Sequence, residues 1–309
     1  MILTLTVNPA VDLTAWVPRF QLGEVNRSRA AQLDPAGKGI NVSRMAHRLG
    51  WPTVAFGFLG GHTGDMVQAA LDAERVQSHF VRVPGETRID VTVVDGASHG
   101  STSLYNAGPK VDEGALRELL ETLDFWMQAG RVLVLAGSLA PGVPDDVYAR
   151  LIARARTHGV RVVLDASGPC FLSGLEARPD VIKPNVREAE ALLGRPLGDR
   201  AAIVAAAREL VARGLGAAVI SMGGDGAICA TAEAAWHVRP PRVEVQSTVG
   251  SGDSMVAGIA VALARALPLH QGLRLGTAAG AATAMRPGTA LGTADDVARL
   301  APDVELVEL

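Results

Sequence analysis

Between residues 131 and 221 the chain repeats one unit. A short run of aliphatic residues ends in a glycine or polar turn, and a stretch at helical spacing follows. The runs are RVLVLA at 131–136, VRVVL at 160–164, VIK at 181–183 and AAVIS at 217–221, with helical spacing over 147–157, 188–193 and 201–213. Such runs show no polar alternation, so neither face can meet water. That is the signature of strands in a parallel sheet covered on both sides. Strands alternating with helices then predict an α/β fold, a mostly parallel central sheet with right-handed crossovers and helices on both faces. The same rhythm opens the chain, with strands at 1–7, 53–59 and 77–83 and helices over 42–49, 66–73 and 116–126. A hairpin at 227–238 follows the strand at 217–221.

Two stretches, about 12–34 and 87–106, break the rhythm. In the second, Ile89, Val91 and Val93 alternate with polar residues, Asp95-Gly96 is a hairpin turn, and 101–105 reads as the return strand. In the first, 13–17 alternates weakly and 23–28 reads as a turn leading to a further short strand. Together they predict a small antiparallel β lid inserted into a single domain spanning 1–309. The 309 residues are 48% hydrophobic but 4% aromatic, so the core must be built from Ala, Val and Leu. A net charge of −3 offers no general nucleic-acid surface. Cys170 and Cys229 lie in no metal-binding spacing and suit a reducing, cytoplasmic setting. A basic region ahead of an apolar core is missing at the N-terminus, as is an uninterrupted run of ~18 apolar residues, so neither a signal peptide nor a membrane span is expected.

Polar groups gather where strands end. Ser138, Asp165, Lys183, Asn185, Ser221 and Gly223 all follow a predicted strand, and the C-terminal ends of parallel strands share one edge. Asp12 follows the first strand and the Asn8-Pro9 turn, as a ligand rim or a solvated turn residue. Lys38 sits between Gly37 and Gly39 ahead of Asn41, at a helix start, which suits an oxygen-rich anionic ligand. Arg88 opens a lid strand, where it is a plain surface residue or a phosphate clamp. Asn185 and Glu188 stand three apart at a helix start, either to hold a hydrated Mg²⁺ or, for Glu188, as an ordinary N-terminal helix carboxylate. Ser221, Gly223, Gly224, Asp225 and Gly226 form a turn whose amides could wrap a di- or triphosphate. Thr248, Gly250, Ser251, Gly252 and Asp253 lead into an apolar, Ala-rich helix over 255–267. The glycines admit a ligand to the helix N-terminus. Beside such an anion site Asp253 makes chemical sense as a base on an attacking hydroxyl, and equally as a helix cap.

These stretches together resemble the ribokinase-like carbohydrate kinases of the PfkB family, over nearly the full chain. STVGSGDSMVAG at 247–258 resembles one family signature and GKGINV at 37–42 another, while KPN at 183–185 with Glu188 matches the family's KPNxxE element. TLTVNPAVD at 4–12, AGKG at 36–39, TRID at 87–90 and AGSL at 136–139 look most like its phosphosugar kinases, without separating a phosphate on C1 from one on C6. The resemblance implies ATP and Mg²⁺ and a homodimer formed through the lid. It makes Asp253 the general base and Gly250, Ser251 and Gly252 the anion hole for the transferring phosphoryl group. Asp12, Gly39 and Asn41 would hold sugar hydroxyls, and Lys38, Arg88 and Ser138 the sugar's own phosphate. Lys183, Asn185, Ser221, Gly223, Gly224, Asp225, Gly226 and Thr248 would bind nucleotide alongside Gly250 and Gly252. Asn185 and Glu188 would lie on the Mg²⁺ side. The sequence departs from that pattern at Ser251, where Ala is common, and at Asp90, where related kinases often carry Asn.

Overall fold

Strands that are apolar on both faces have to be sandwiched, and the computed structural model, which describes residues 1–98 and 100–309, sandwiches them. The first part of the chain forms β1 (Ile2–Thr6), β2 (Ala10–Val17), β3 (Ala30–Ala36), α1 (Lys38–Arg48), β4 (Thr53–Leu59), α2 (Gly61–Ala73), β5 (Gln77–Arg82), β6 (Arg88–Asp95), β7 (Ser101–Leu104) and α3 (Glu113–Trp126). Next come β8 (Val132–Ala136), α4 (Val147–Thr157), β9 (Arg161–Asp165), α5 (Pro169–Glu176), β10 (Val181–Ile182), α6 (Val186–Leu193), α7 (Arg200–Ala212) and β11 (Ala217–Ser221). The remainder is β12 (Ala227–Thr231), β13 (Ala235–Arg239), α8 (Ser251–Ala264), α9 (Leu269–Ala284), α10 (Ala294–Leu300) and β14 (Glu305–Glu308).

The large sheet runs β14-β13-β12-β11-β10-β9-β8-β1-β4-β5. It is parallel from β11 to β5 and antiparallel through β12, β13 and β14. The change occurs where β11, β12 and β13 are joined by tight turns, which cannot return a strand in parallel. Successive residues feed opposite layers. Leu3, Leu5, Leu133 and Leu164 pack with Leu119 of α3, Leu151 of α4 and Leu210 of α7. Ile2, Val132, Val134 and Val163 pack with Met45 of α1, Val256 of α8 and Leu273 of α9. Among the described residues, no helix is long and apolar enough to cross a membrane.

The small sheet is ordered β3-β2-β6-β7. Its outer pairs are antiparallel, while β2 and β6 run parallel at its centre. Both strands leave the same edge of the large sheet, after the parallel strands β1 and β5, so they set out in the same direction. Residues 23–28 hold no strand; β3 begins at Ala30 and pairs back along β2. Helix α8 begins at Ser251, so Asp253 lies inside its first turn and not in the loop before it. Four elements escape the periodicity argument: α5, α9, α10 and β14. Helix α9 is Ala- and Gly-rich and buried over most of its surface, so no polar face marks its period.

Helices α8 and α9 touch backbone to backbone. A side-chain carbon at Gly258 would stand 2.3 Å from the Gly276 amide nitrogen. Gly258→Ala must therefore push the pair apart and is expected to cost about 1–3 kcal/mol, the range for overpacking. Urea unfolding checks this, and an unchanged midpoint would mean that the helices separate freely.

Candidate active site

Gly250 caps α8 in the left-handed region (φ 78°), which costs glycine nothing and turns the chain sharply into the helix. A helix start leaves its first amides without internal partners. The Ser251 amide turns back to the Thr248 carbonyl at 3.3 Å, and the Ser254 amide donates to the Gly250 carbonyl at 2.9 Å. Asp253, 8% exposed, accepts a 2.9 Å hydrogen bond on Oδ2 from Asn41 Nδ2, so α1 and α8 meet through carboxylate and amide. Ser254 and Thr283 share a 2.8 Å hydroxyl contact that ties this turn to α9. Burial pushes the Asp253 carboxyl above the ordinary carboxylate range, while Lys38, Asn41 and Lys183 pull against it.

Asp165 ends β9 and is fully buried. Lys38 Nζ lies 2.9 Å from one of its oxygens and Lys183 Nζ 3.4 Å from the other. Burial would raise this carboxyl, but Lys183 and Lys38 outweigh it and hold it below the usual range. Burial also opposes the charge on Lys38, yet Asp165 and then Asp253 hold that ammonium above its ordinary range. A side-chain carbon at Gly252 would stand 3.3 Å from Lys183 Nζ, so this ammonium lies against the α8 turn. Two cations and the 250–252 turn thus gather around Asp165 and Asp253.

A second group lies under the small sheet. Arg88, its side chain 15% exposed, places Nη1 2.9 Å from Asp90 Oδ2 and donates from Nη2 to the Asn8 carbonyl at 3.3 Å. The Asn8 amide reaches the Ser138 hydroxyl at 3.5 Å and the Leu139 carbonyl at 3.4 Å. Asp12 pairs across the strands with Asp90 and with Asp34. Burial, then the charge of Asp90, pushes the Asp12 carboxyl up to about 7. Ser138 follows Gly137, whose added carbon would meet Lys38 Cβ at 4.0 Å, so the two groups adjoin.

On the far side of Lys183 opens a cleft of about 1770 Å³ walled by Asn185, Ser221, Gly223, Gly224, Asp225 and Thr248. Gly226 is the hinge of this wall: any side chain there would strike the Val238 carbonyl at 1.9 Å. Asn185 and Glu188 form a capping box, each side chain accepting the other's backbone N–H. Each oxygen keeps a second lone pair. Among the described residues no group of three His, Cys, Asp or Glu could cage a cation. One amide and one carboxylate suit a hydrated Mg²⁺ that takes its other ligands from water and phosphate.

The structure therefore brings Asp253, Asn41, Lys38, Lys183 and the 250–252 turn together, sets Arg88, Asp12 and Ser138 beside them, and puts the 221–226 turn across a cleft. Asn41 Nδ2 and Lys38 Nζ are engaged by Asp253 and Asp165, while Asn41 Oδ1 is buried without a partner. Gly39 lies under β1, with the Leu5 carbonyl 2.8 Å from where a side chain would start. Sequence reasoning left Asn8, Asp34 and His237 without a role, and it noted Asp165 only as a strand-end acid. His237, 5% exposed, contacts the Asp225 carbonyl at 2.9 Å and pins the 221–226 turn. Asp34 and His237 lie within β3 and β13, away from strand ends, and so carried no signal.

A profile of the pfkB family carbohydrate kinases matches residues 5–296. A 1-phosphofructokinase of Bacillus subtilis is 36% identical over 309 residues, all of both chains. A crystal structure of phosphofructokinase-2 from Escherichia coli in complex with substrates and products superposes with a TM-score of 0.93 at 34% identity, covering 98% of each chain. An Arabidopsis thaliana ribokinase complexed with ribose and ATP has a TM-score of 0.79 at 21% identity, over 97% of this chain and 98% of that one, and so shares the fold.

The Asn41 hydrogen bond lowers the Asp253 pKa. Asn41→Leu, which keeps the branch at Cγ but has no donor, removes it, so the carboxyl pKa rises further. A base must be ionised to work, so the acid limb of kcat/KM against pH moves to higher pH in this variant. A pH–rate profile with an unmoved acid limb would show that Asn41 does not set this group.

Proposed function

The chain belongs to the pfkB family of carbohydrate kinases, and on that premise we propose that it is a 1-phosphofructokinase: it transfers the γ-phosphoryl group of ATP to fructose 1-phosphate, giving fructose 1,6-bisphosphate and ADP. The observation that carries the reading is the buried Asp253 at the mouth of α8, held by Asn41 and faced by Lys38 and Lys183. A protein that only sensed a phosphosugar would have no use for a base there. Tagatose-6-phosphate kinase and 6-phosphofructokinase share the chemistry, and the alternatives differ only in where the acceptor carries its phosphate.

In this reading Asp253 takes the proton of the acceptor hydroxyl as that oxygen closes on the γ-phosphorus. The amides at 250–252 and the ammonium groups of Lys38 and Lys183 face the equatorial oxygens, where charge gathers in a loose transition state. Their placement by Asp165 beforehand spares reorganisation during the reaction. Lys38 belongs more to this point than to the sugar's own phosphate, since Asp165 directs it there. Arg88 and Ser138 remain for that phosphate, and Asp12 for a sugar hydroxyl. Asn41 acts through Asp253 as a positioning residue. The cleft walled by Ser221, Gly223, Gly224 and Asp225 takes ATP, with Asn185 and Glu188 beside its phosphates. Mg²⁺, when bound beside Asn185 and Glu188, would neutralise negative charge on the nucleotide's phosphates.

Residues 1–309 act as one kinase domain, with the small sheet as a lid that keeps water from the phosphoryl group. Leu22, Leu33, Ile89, Leu104 and Tyr105 are exposed on or beside that sheet, which supports a homodimer through it. Two buried free thiols, Cys170 and Cys229, suit the reducing cytosol.

A coupled ADP-release assay with fructose 1-phosphate, fructose 6-phosphate and tagatose 6-phosphate side by side tests the assignment, and the 1-phosphate is expected to give the highest kcat/KM. Asp253→Asn is expected to lower kcat by at least ~10²-fold with little change in ATP affinity; unimpaired turnover would rule out the base. Arg88→Ala is expected chiefly to raise KM for the phosphosugar. An equal loss with an unphosphorylated sugar would defeat the clamp.

A further inference from the structure

Three carboxylates stand side by side across the small sheet. Asp12 on β2 faces Asp34 on β3 and Asp90 on β6 in register. Residues directly opposite on adjacent strands point to the same face, and like charges so placed repel. Asp34 is satisfied by Gln32 Nε2 at 2.8 Å and Thr289 Oγ1 at 2.9 Å. Asp90, 5% exposed, takes Arg88 Nη1 at 2.9 Å and the Asn106 amide at 2.9 Å. Asp253 on α8 adds a further negative group facing Asp12, and Arg88 is the cation that offsets them. Helix α2 packs on the other face of β2, where Val11 meets Val67 and Leu71, and brings no charge to this row.

Arg88 has no open fork for a phosphate. Both Nη1 N–H groups are taken, by Asp90 and the Asn106 carbonyl, and Nη2 gives one of its two to the Asn8 carbonyl; Nε, the other half of the side-on fork, is buried. A bidentate grip on a phosphate requires two of these donors in parallel. The one partner that a phosphate can replace charge for charge is Asp90. Released, that carboxylate would sit buried beside Asp12 and a dianion, which no remaining cation in the row offsets. An uncompensated buried charge is costly, and taking a proton removes the cost.

We propose that the phosphosugar binds by charge exchange: its phosphate takes Arg88 from Asp90, and the freed carboxylate shares with Asp12 one proton drawn from solvent. The O–H bond forms on one carboxyl and its hydrogen bond points to the other, as in any close acid pair. This rests on the phosphosugar-kinase reading and adds Asp90 to it as a positioning residue with a charge of its own to dispose of. Asp12, already pushed up to about 7, is the neighbour best able to hold that proton. Because binding takes up a proton, affinity rises as pH falls, by up to about tenfold per pH unit for one linked proton.

Calorimetric titration of fructose 1-phosphate into the full-length protein, just above neutral pH and in buffers of different ionisation enthalpy, measures the uptake directly. At that pH the ligand's own phosphate, with its second pKa near ~6, contributes little. Because Asp12 already carries part of a proton at that pH, the wild type is expected to take up between about half and one proton per phosphosugar bound. Asp90→Asn, nearly isosteric, keeps an acceptor for the Asn106 amide but releases no carboxylate, so it is expected to bind more tightly at alkaline pH and to take up at most about half as much. Binding without uptake in the wild type, or equal uptake in Asp90→Asn, overturns the exchange while leaving the kinase reading intact. Failure of fructose 1-phosphate and both 6-phosphates to bind overturns the two together. Carbon NMR of the Asp12 carboxyl gives a second readout, in which its midpoint must rise on saturation with fructose 1-phosphate, and a fixed midpoint also sinks the exchange.

Discussion

A carboxylate with no exposure to water cannot keep its charge alone, and Asp165 keeps its charge by holding two lysines. One comes from the start of α1 and the other from the end of β10, so the ion pairs fix two otherwise separate parts of the site against each other. Removing Asp165 would leave the buried Lys183 ammonium without its counter-charge, with a cost of about 3–5 kcal/mol. The arrangement is therefore rigid, and its rigidity is directed. Lys183 is pressed to the α8 turn and Lys38 toward Asp253. Positive charge is stationed where an anion must pass.

The opposite sign prevails a short distance away. Under the small sheet the excess is negative, with Asp12, Asp34 and Asp90 in a row and Arg88 among them. In the proposed reaction the two phosphates would be treated differently. The one in transit would meet fixed cations and amides that need no rearrangement. The one that stays with the sugar would meet an arginine already engaged. Burial sharpens both contrasts, since each charge acts through protein rather than water.

Much of the frame is legible in the residues. Runs apolar on both faces demand a covered parallel sheet, and a parallel sheet delivers its strand ends to one edge. That argument alone gathers Ser138, Asp165, Lys183, Asn185 and Ser221 before any coordinates are seen. It fails for α5, α9, α10 and β14. A helix buried nearly all round, such as α9, shows no amphipathic period, and a short edge strand such as β14 gains its identity from the neighbour it joins. It also missed the start of α8, because Ser251 and Gly252 are poor helix formers that become helical under the demand of the buried apolar run behind them.

Local chemistry was therefore set by the chain itself: glycine where φ must be positive at 250, hydroxyl and amide groups at strand ends, one acid at the head of an apolar helix. Partnership was decided only by the tertiary structure. Nothing local says that Asn41 serves Asp253, that Lys38 answers to Asp165, or that Asp34, Asp12 and Asp90 become neighbours. Those facts depend on the register between strands far apart in the chain and on the packing of α1 against α8. A single-residue slip in that register would turn each of these side chains to the opposite face.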